Sequence, residues 1–344
     1  MKIRHKFLSM SLLLALSLAS CESNTKKIDL FLYDQADTFV SLLSNTLNDT
    51  LGSDYKINTF DAKRSQSNQN KQIINQLETN NPDVLLVNMV DRLASVSVIQ
   101  KANITNTPVI FFNREPVYSD IIRYPNAYYV GTNPNQEGKN QGIMAETLMG
   151  DPSNINKNID KNGDNKLQCV FIQGEPGHQD TEKRTYACIN YLQQKGYELD
   201  ILSMESAEWN RDNGKTVMNN IYTKYKDNIE FIFSNNDDMA LGAADFILDN
   251  NLYTFNNGKI VMPFPIVGVD GTTDGINAIK DGLLYGTTIN DSEMQAKAIS
   301  MLIKLIHKEI SVDDLKKEFE YGEKAHYIYV SGSLISQDSF DLKI

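Results

Sequence analysis

Two α/β lobes, each a Rossmann-like unit on a parallel sheet and joined to the other by three hinge crossings, are predicted for this chain. Three observations predict them. Short apolar runs alternate with helix-period stripes along almost the whole sequence, the rhythm of βαβ units. Those runs end in polar or glycine-containing loops, which is where an open α/β sheet places its ligands. The length of 344 residues exceeds one typical domain and fits two lobes of roughly 130 to 160 residues.

The amino terminus stands apart from the fold. Lys2, Arg4, His5 and Lys6 precede an apolar stretch over 7–19 that is too short to span a bilayer and has the build of an export signal. It ends in Leu18-Ala19-Ser20-Cys21, which resembles the lipobox of bacterial lipoproteins. That resemblance implies cleavage before Cys21, acylation of its thiol and a membrane tether made of lipid alone. Residues 1–20 are then a signal peptide and 21–27 a polar tether. Loss of Lys2, Arg4 and Lys6 takes the formal charge from −11 to −14. So acidic a chain suits neither phosphate backbones nor anionic lipid surfaces, and no nucleic-acid partner is expected. Of the three cysteines, Cys169 and Cys188 remain in an oxidising compartment. The strand and returning helix that carry them bring them to similar heights, so a disulfide is open, although two buried thiols are expected.

The elements follow in order. Strands are predicted over 28–33, 54–60, 84–88, 108–112 and 127–130, with helices over 38–51, 62–80 and 91–102 between them. Gly131-Thr132-Asn133 reads as the first crossing, near 131–133. The second lobe opens with a helix over 136–149 and a polar loop over 151–166. Strands over 167–172, 199–204, 230–234, 265–269 and 285–289 then alternate with helices over 181–194, 212–226 and 238–249. Asn290-Asp291 marks the second crossing, near 289–291; a helix over 294–307 returns to the first lobe. The strand over 326–330 supplies a third crossing, near 327–330. The lobes are therefore 28–130 with 292–326, and 134–288 with 331–344. Lobes so connected can hinge shut on a ligand.

The stretch Gln173–Arg184 is the centre of the site. Gly174-Glu175-Pro176-Gly177 reverses the chain at the carboxyl end of a buried strand. His178, Asp180 and Arg184 follow on one loop and the first helical turn, Asp180 and Arg184 at i, i+4 spacing. The other strand ends add Asp37, Phe39, Asn113, Trp209, Asn236, Asp270 and Asn290. Carboxylates, carboxamides, a guanidinium and an imidazole pair well with sugar hydroxyls, which both donate and accept. Phe39 and Trp209, one per lobe, can sandwich the apolar C–H face of a pyranose.

The chain resembles the periplasmic galactose/glucose-binding proteins of bacterial sugar uptake and chemotaxis, in the type I periplasmic binding protein family. The likeness covers nearly all of 28–337. It rests on Phe111-Phe112-Asn113-Arg114-Glu115-Pro116, Tyr128-Tyr129-Val130-Gly131-Thr132, Gly174-Glu175-Pro176-Gly177-His178, Asn235-Asn236-Asp237, Gly268-Val269-Asp270 and Asn290-Asp291 with Gln295-Ala296-Lys297-Ala298. It implies hexose contacts at Asp37, Asn113, His178, Asp180, Arg184, Asn236, Asp270 and Asn290, with Phe39 and Trp209 as the stacking aromatics. The first loop departs: Asp34-Gln35-Ala36-Asp37 stands where the family has a tyrosine and paired aspartates, which opens the question of galactose against glucose.

A second motif, Asp160 to Gln168, has oxygen donors at the spacing of the first part of an EF-hand-like calcium loop. A frame starting at Asn158 puts Gly163 at the tight turn but Lys166 at a ligand position. A frame starting at Asp160 gives Asp160, Asn162, Asp164, the Lys166 carbonyl and Gln168, with Asn165 at the turn; this frame is preferred. Its last position falls on Phe171, and the resemblance supplies Glu230 as the carboxylate from a neighbouring strand. Structural calcium is therefore expected.

The implied function is that of a substrate-binding lipoprotein of the cell envelope. It would be a monomer that captures a monosaccharide by hinge closure for an ABC permease, with a chemoreceptor as a further partner. The alternatives are a sugar-sensing lipoprotein or surface antigen uncoupled from transport, and a glycoside hydrolase using Glu175, His178 and Asp180. The polar groups surround a whole sugar rather than flank one bond, so no enzyme is expected.

Overall fold

The computed structural model describes residues 25–256, 258–322 and 326–341. Residues 1–20, read above as a signal peptide, and Cys21 lie outside them. The chain runs β1 (Lys26–Leu32), α1 (Thr38–Leu51), β2 (Tyr55–Asp61), α2 (Gln66–Thr79), β3 (Val84–Val87), α3 (Ser95–Ile104), β4 (Val109–Phe112), α4 (Tyr118–Ile121) and β5 (Ala127–Thr132). Then come α5 (Pro134–Met149), β6 (Leu167–Gln173), α6 (Gln179–Gln194), β7 (Leu199–Ser206), α7 (Arg211–Tyr225), β8 (Phe231–Ser234) and α8 (Asp237–Asp249). A hairpin of β9 (Thr254–Asn256) and β10 (Lys259–Val261) precedes β11 (Ile266–Asp270), α9 (Thr273–Lys280) and β12 (Gly286–Ile289). The chain ends with α10 (Ser292–Ile306), α11 (Val312–Glu318), β13 (Tyr321–Gly322), β14 (Tyr327–Val330), β15 (Leu334–Ser336) and α12 (Asp338–Asp341).

Two sheets hold the lobes. The first has the order β13-β14-β5-β4-β3-β1-β2, the second β15-β12-β11-β8-β6-β7. All pairings inside them are parallel except β13 with β14 and β12 with β15, so each sheet carries one antiparallel edge strand. The main strands of both sheets follow one doubly wound pattern, with the order reversing beside β1 in the first and beside β6 in the second. Strand alternation sends successive residues to opposite faces: Leu30 and Leu32 join one apolar cluster with α1 and α10, Phe31 the other with α2 and α3. The second sheet is likewise cored on both faces, and Cys169 and Cys188 lie there as buried free thiols.

The chain passes between sheets after β5, after β12 and after β14. The last passage differs from the sequence reading. Residues 327–330 are not a hinge but β14, paired with β5 over Tyr327–Val330, and the crossing falls after Val330. The first lobe thus extends to 330. The reason is register: Ile328 and Val330 are apolar and buried in the first core, which keeps that strand in the sheet.

Candidate functional site

The loops after β1, β4, β6, β7, β8 and β11 converge on a cavity between the lobes. Its walls are Tyr33, Asp37, Phe39, Val40, Asn113, Arg114, His178, Asp180, Arg184, Trp209, Asn236 and Asp270. Nine of the ten residues expected to hold the ligand are on that wall. Asn290 is not. Its side-chain oxygen accepts from Gln295 Nε2 at 2.5 Å, which ties that oxygen to α10. Tyr33, Val40 and Arg114 were missed; Arg114 directly follows Asn113 in the motif already singled out, which was the available signal.

Helix starts place three of the polar groups. Asp37, His178 and Asn236 are the N-caps of α1, α6 and α8. Asp37 accepts from Val40 N at 2.9 Å through one carboxylate oxygen and from the Tyr33 hydroxyl through the other. Asn236 accepts from Met239 N and donates to the Trp209 carbonyl at 3.2 Å. His178 Nδ1 accepts from Asp180 N at 3.1 Å, which leaves its other ring nitrogen as the proton-bearing donor. Burial, followed by the charges of Arg114, Arg184 and Arg92, holds this imidazole well below its ordinary range, so it is neutral.

Arg184 is the cation at the floor. Its Nε donates to Glu137 at 2.6 Å and its Nη1 to the Asn235 carbonyl at 2.7 Å, while Nη2 stands 3.7 Å from Asp180. Burial pushes the Asp180 carboxyl up to about 6; Arg184 opposes the rise, and Glu137 and Glu115 add to it. Burial likewise raises Asp270 well above the carboxylate range, again against Arg184. Behind the wall, Asp237 accepts from Thr272 N, Thr272 Oγ1 and Thr287 Oγ1; burial outweighs those bonds and pushes it up to about 7.

The aromatic walls are positioned by backbone. Trp209 and Glu208 both have positive φ, 65° and 53°, a tight turn that lays the indole over Gly174. A Cβ on Gly174 would come within 2.2 Å of the indole ring, so only glycine leaves room for it. His178 meets the indole edge-on at 5.2 Å between centroids. Phe39 enters from the first lobe. On that lobe Arg114 lies 3.6 Å over the Tyr33 ring, and Asn113, at φ 59°, accepts from Asn88 at 3.0 Å.

The lobes are shut around this cavity. Thr38 Oγ1 donates to Asp238 at 2.6 Å, Arg114 pairs with Glu175 at 3.1 Å, and Arg92 Nη2 donates to Gln179 at 2.5 Å. Glu115 accepts from Gln179 and Tyr329 and sits 3.6 Å from Lys183.

The putting-together of the Asp160 loop is separate and far more exposed. Asp160 is buried and accepts from Gly163, Asp164 and Asn165 N; Glu230 accepts from Lys161 N at 2.6 Å and Gln168 N at 3.1 Å. Asn162 and Gln168 both turn their NH2 groups to Asp164. Asn165 takes φ 61° and Gly163 φ 74°, so the turn residue of either frame is in the left-handed region. Lys166 N donates to Asp164 Oδ1. Among the described residues no group of three or more His, Cys, Asp or Glu is gathered for a metal. The donor set here is mixed, with amides beside carboxylates, and the buried Gln168 Oε1 has no partner, an orphan that a hard cation would satisfy.

A profile described as "Periplasmic binding protein domain" matches residues 28–309. The chain belongs to the periplasmic binding proteins. Within that family, it is 35% identical to the D-galactose/methyl-galactoside binding periplasmic protein MglB of Haemophilus influenzae over 280 residues, 80% of each chain. It is 26% identical to the ribose import binding protein RbsB of Bacillus subtilis, over 75% of this chain and 74% of the relative. Among solved structures, a solute binding protein of an ABC transporter from Actinobacillus succinogenes with bound D-allose superposes at a TM-score of 0.74. It is 20% identical, covering 92% of this chain and 99% of that one. A Caulobacter myo-inositol binding protein gives 0.73 at 18% identity, covering 92% and 95%. These structural likenesses concern the two-lobed fold. No helix among the described residues is long and apolar enough to cross a membrane.

Proposed function

We propose that this periplasmic binding protein captures a hexose, glucose or galactose, between its lobes and hands it to an ABC permease. The observation that carries the reading is the composition of the cavity wall: Phe39 and Trp209 supply apolar faces from opposite lobes, and polar groups fill the gaps between them. A pyranose has that same division into C–H faces and a hydroxyl rim. The galactoside-binding relative supports a hexose; the ribose-binding relative makes a pentose the competitor. The mechanism is a population shift. The sugar touches both lobes only when they are shut, so its binding energy draws the open form closed. The same closed surface would be read by a permease or a chemoreceptor, and acylated Cys21 would hold the protein at the membrane.

Titration with glucose, galactose, ribose and myo-inositol, followed by Trp209 fluorescence, tests the ligand. In parallel, calorimetric titration of Trp209→Ala and Asp270→Ala should each show a loss of at least about thirtyfold in hexose affinity. Lys316→Ala, on the exposed face of α11, should leave it unchanged. Near-native binding by Asp270→Ala would refute the assigned site.

We further propose that Asp160, Asn162, Asp164, the Lys166 carbonyl, Gln168 and Glu230 hold calcium as a structural ion. A half-turn of the Asn162 amide would exchange NH2 for oxygen toward Asp164. The ion would tie the loop before β6 to the start of β8 and add its binding free energy to folding.

A further inference from the structure

Behind the cavity wall, Glu137 touches both a ligand-facing residue and the hinge. It lies in the first turn of α5, is 1% exposed, and does not itself line the cavity. Its two carboxylate oxygens take different partners. Oε2 accepts from Arg184 Nε at 2.6 Å, and Oε1 accepts from the Thr132 hydroxyl. Arg184 belongs to the cavity wall; with Nε held by Glu137 and Nη1 by the Asn235 carbonyl, its Nη2 is turned toward Asp180. Thr132 is the last residue of β5 and pairs with Val330, the last residue of β14, so it stands where two of the three crossings leave the first sheet. The strand before the other crossing meets the same residue. Thr288, near the end of β12, donates its hydroxyl to the Glu137 carbonyl at 3.4 Å. The contact with Arg184 also needs Gly138. A Cβ there would lie 2.1 Å from the Arg184 carbonyl oxygen, so only glycine lets α5 come close enough to α6 for Glu137 to reach the guanidinium.

We propose that Glu137 is a positioning residue that couples the hinge to the ligand: it fixes the Arg184 guanidinium at the cavity and ties it to the first crossing through Thr132. This rests on the hexose reading above and deepens it. A buried carboxylate bonded through one oxygen on each side is not free to turn. A change of conformation at Thr132 is therefore felt at Arg184, and a ligand held by Arg184 is felt at the hinge. Without the Thr132 hydroxyl, Oε1 is left buried with no donor, and the carboxylate can swing and carry the guanidinium with it. A residue that only filled the space between α5 and α6 would contribute stability and no such coupling.

Thr132→Val keeps the shape of the side chain and deletes its hydroxyl, at a residue that is not on the cavity wall. Calorimetric titration of the full chain with galactose and glucose should show at least about a fivefold loss of affinity, and Thr132→Ser should recover it. Glu137→Gln keeps one acceptor oxygen of the two and should lose at least about tenfold. Adding Thr132→Val to it should cost less than about twofold more, because the link is already broken. Hydrogen exchange of the ligand-free chain reads the same coupling without sugar. Thr132→Val should speed exchange at least about threefold over 179–188, the start of α6, as well as beside the substitution. Unchanged affinity in Thr132→Val, losses that multiply in full in the double variant, or faster exchange confined to the residues around 132 would each overturn the proposal and leave the hexose reading in place. If the wild type binds neither hexose, the hexose reading fails, and exchange over 179–188 alone decides whether Glu137 couples hinge to site.

Discussion

At the scale of single residues, the site depends on side chains that would be poor choices elsewhere. Trp209 sits in the left-handed region, where a bulky residue is strained, and its indole is admitted only because Gly174 has no side chain. Gly174→Ala should therefore weaken hexose binding by about tenfold or more, with the loss read by titration and the indole shift by near-ultraviolet circular dichroism. Asp237 is a second such residue. Its folded form holds a proton up to about 7, against the ordinary 3.8 of an aspartate. The folded state thus binds more protons than the unfolded one between those values, and stability falls as pH rises through that window. Asp237→Asn has no charge to bury. The melting temperature of this variant should gain on the wild type as pH goes from about 5 to about 8, which parallel thermal scans would check. Equal slopes would mean that Asp237 does not titrate there.

At the scale of elements, one device recurs: a strand ends, a short loop turns, and the residue that caps the next helix also faces the cavity. Asp37, His178 and Asn236 each give one acceptor to their own helix. This is why these cavity-wall residues were legible in the sequence. Capping residues are polar, local and readable from the turn that precedes them. Asn290 shows the limit, because the contact its oxygen accepts from Gln295, one turn into α10, is not revealed by spacing alone. The Asp160 loop carries the proposed calcium site. Saturating calcium should raise the melting temperature by about 5–10 °C, the shift for an ion near a hundred times its dissociation constant. Glu230→Gln should abolish most of that rise, and a calcium-independent wild type would count against the loop assignment.

At the scale of the whole molecule, the proposed capture turns on two arrangements of the lobes, open and shut. Arg114 with Glu175, Thr38 with Asp238, and Glu115 with Gln179 join residues of opposite lobes and can form only when the cleft is shut. Such contacts assist the ligand without touching it. Glu115→Ala should lower hexose affinity by about tenfold, equivalent to one or two polar contacts. Small-angle scattering should show the same variant more extended at half-saturating sugar. An unchanged radius with unchanged affinity would remove Glu115 from the closure mechanism.

The division between sequence and tertiary structure follows from range. Alternating apolar runs, turn residues and helix caps are local signals, so the βα rhythm, the two lobes and nearly the whole cavity wall could be read from the order of residues alone. Which strand closes each sheet could not be read, and the third hinge was placed one strand early because β14 is held by pairing with distant β5. Nor could the charge state of the cavity. Glu137 reaches Arg184 across 47 positions of sequence, and Asp237 meets Thr287 across 50. Only burial in a shared interior, where water no longer screens them, turns such residues into one electrostatic unit.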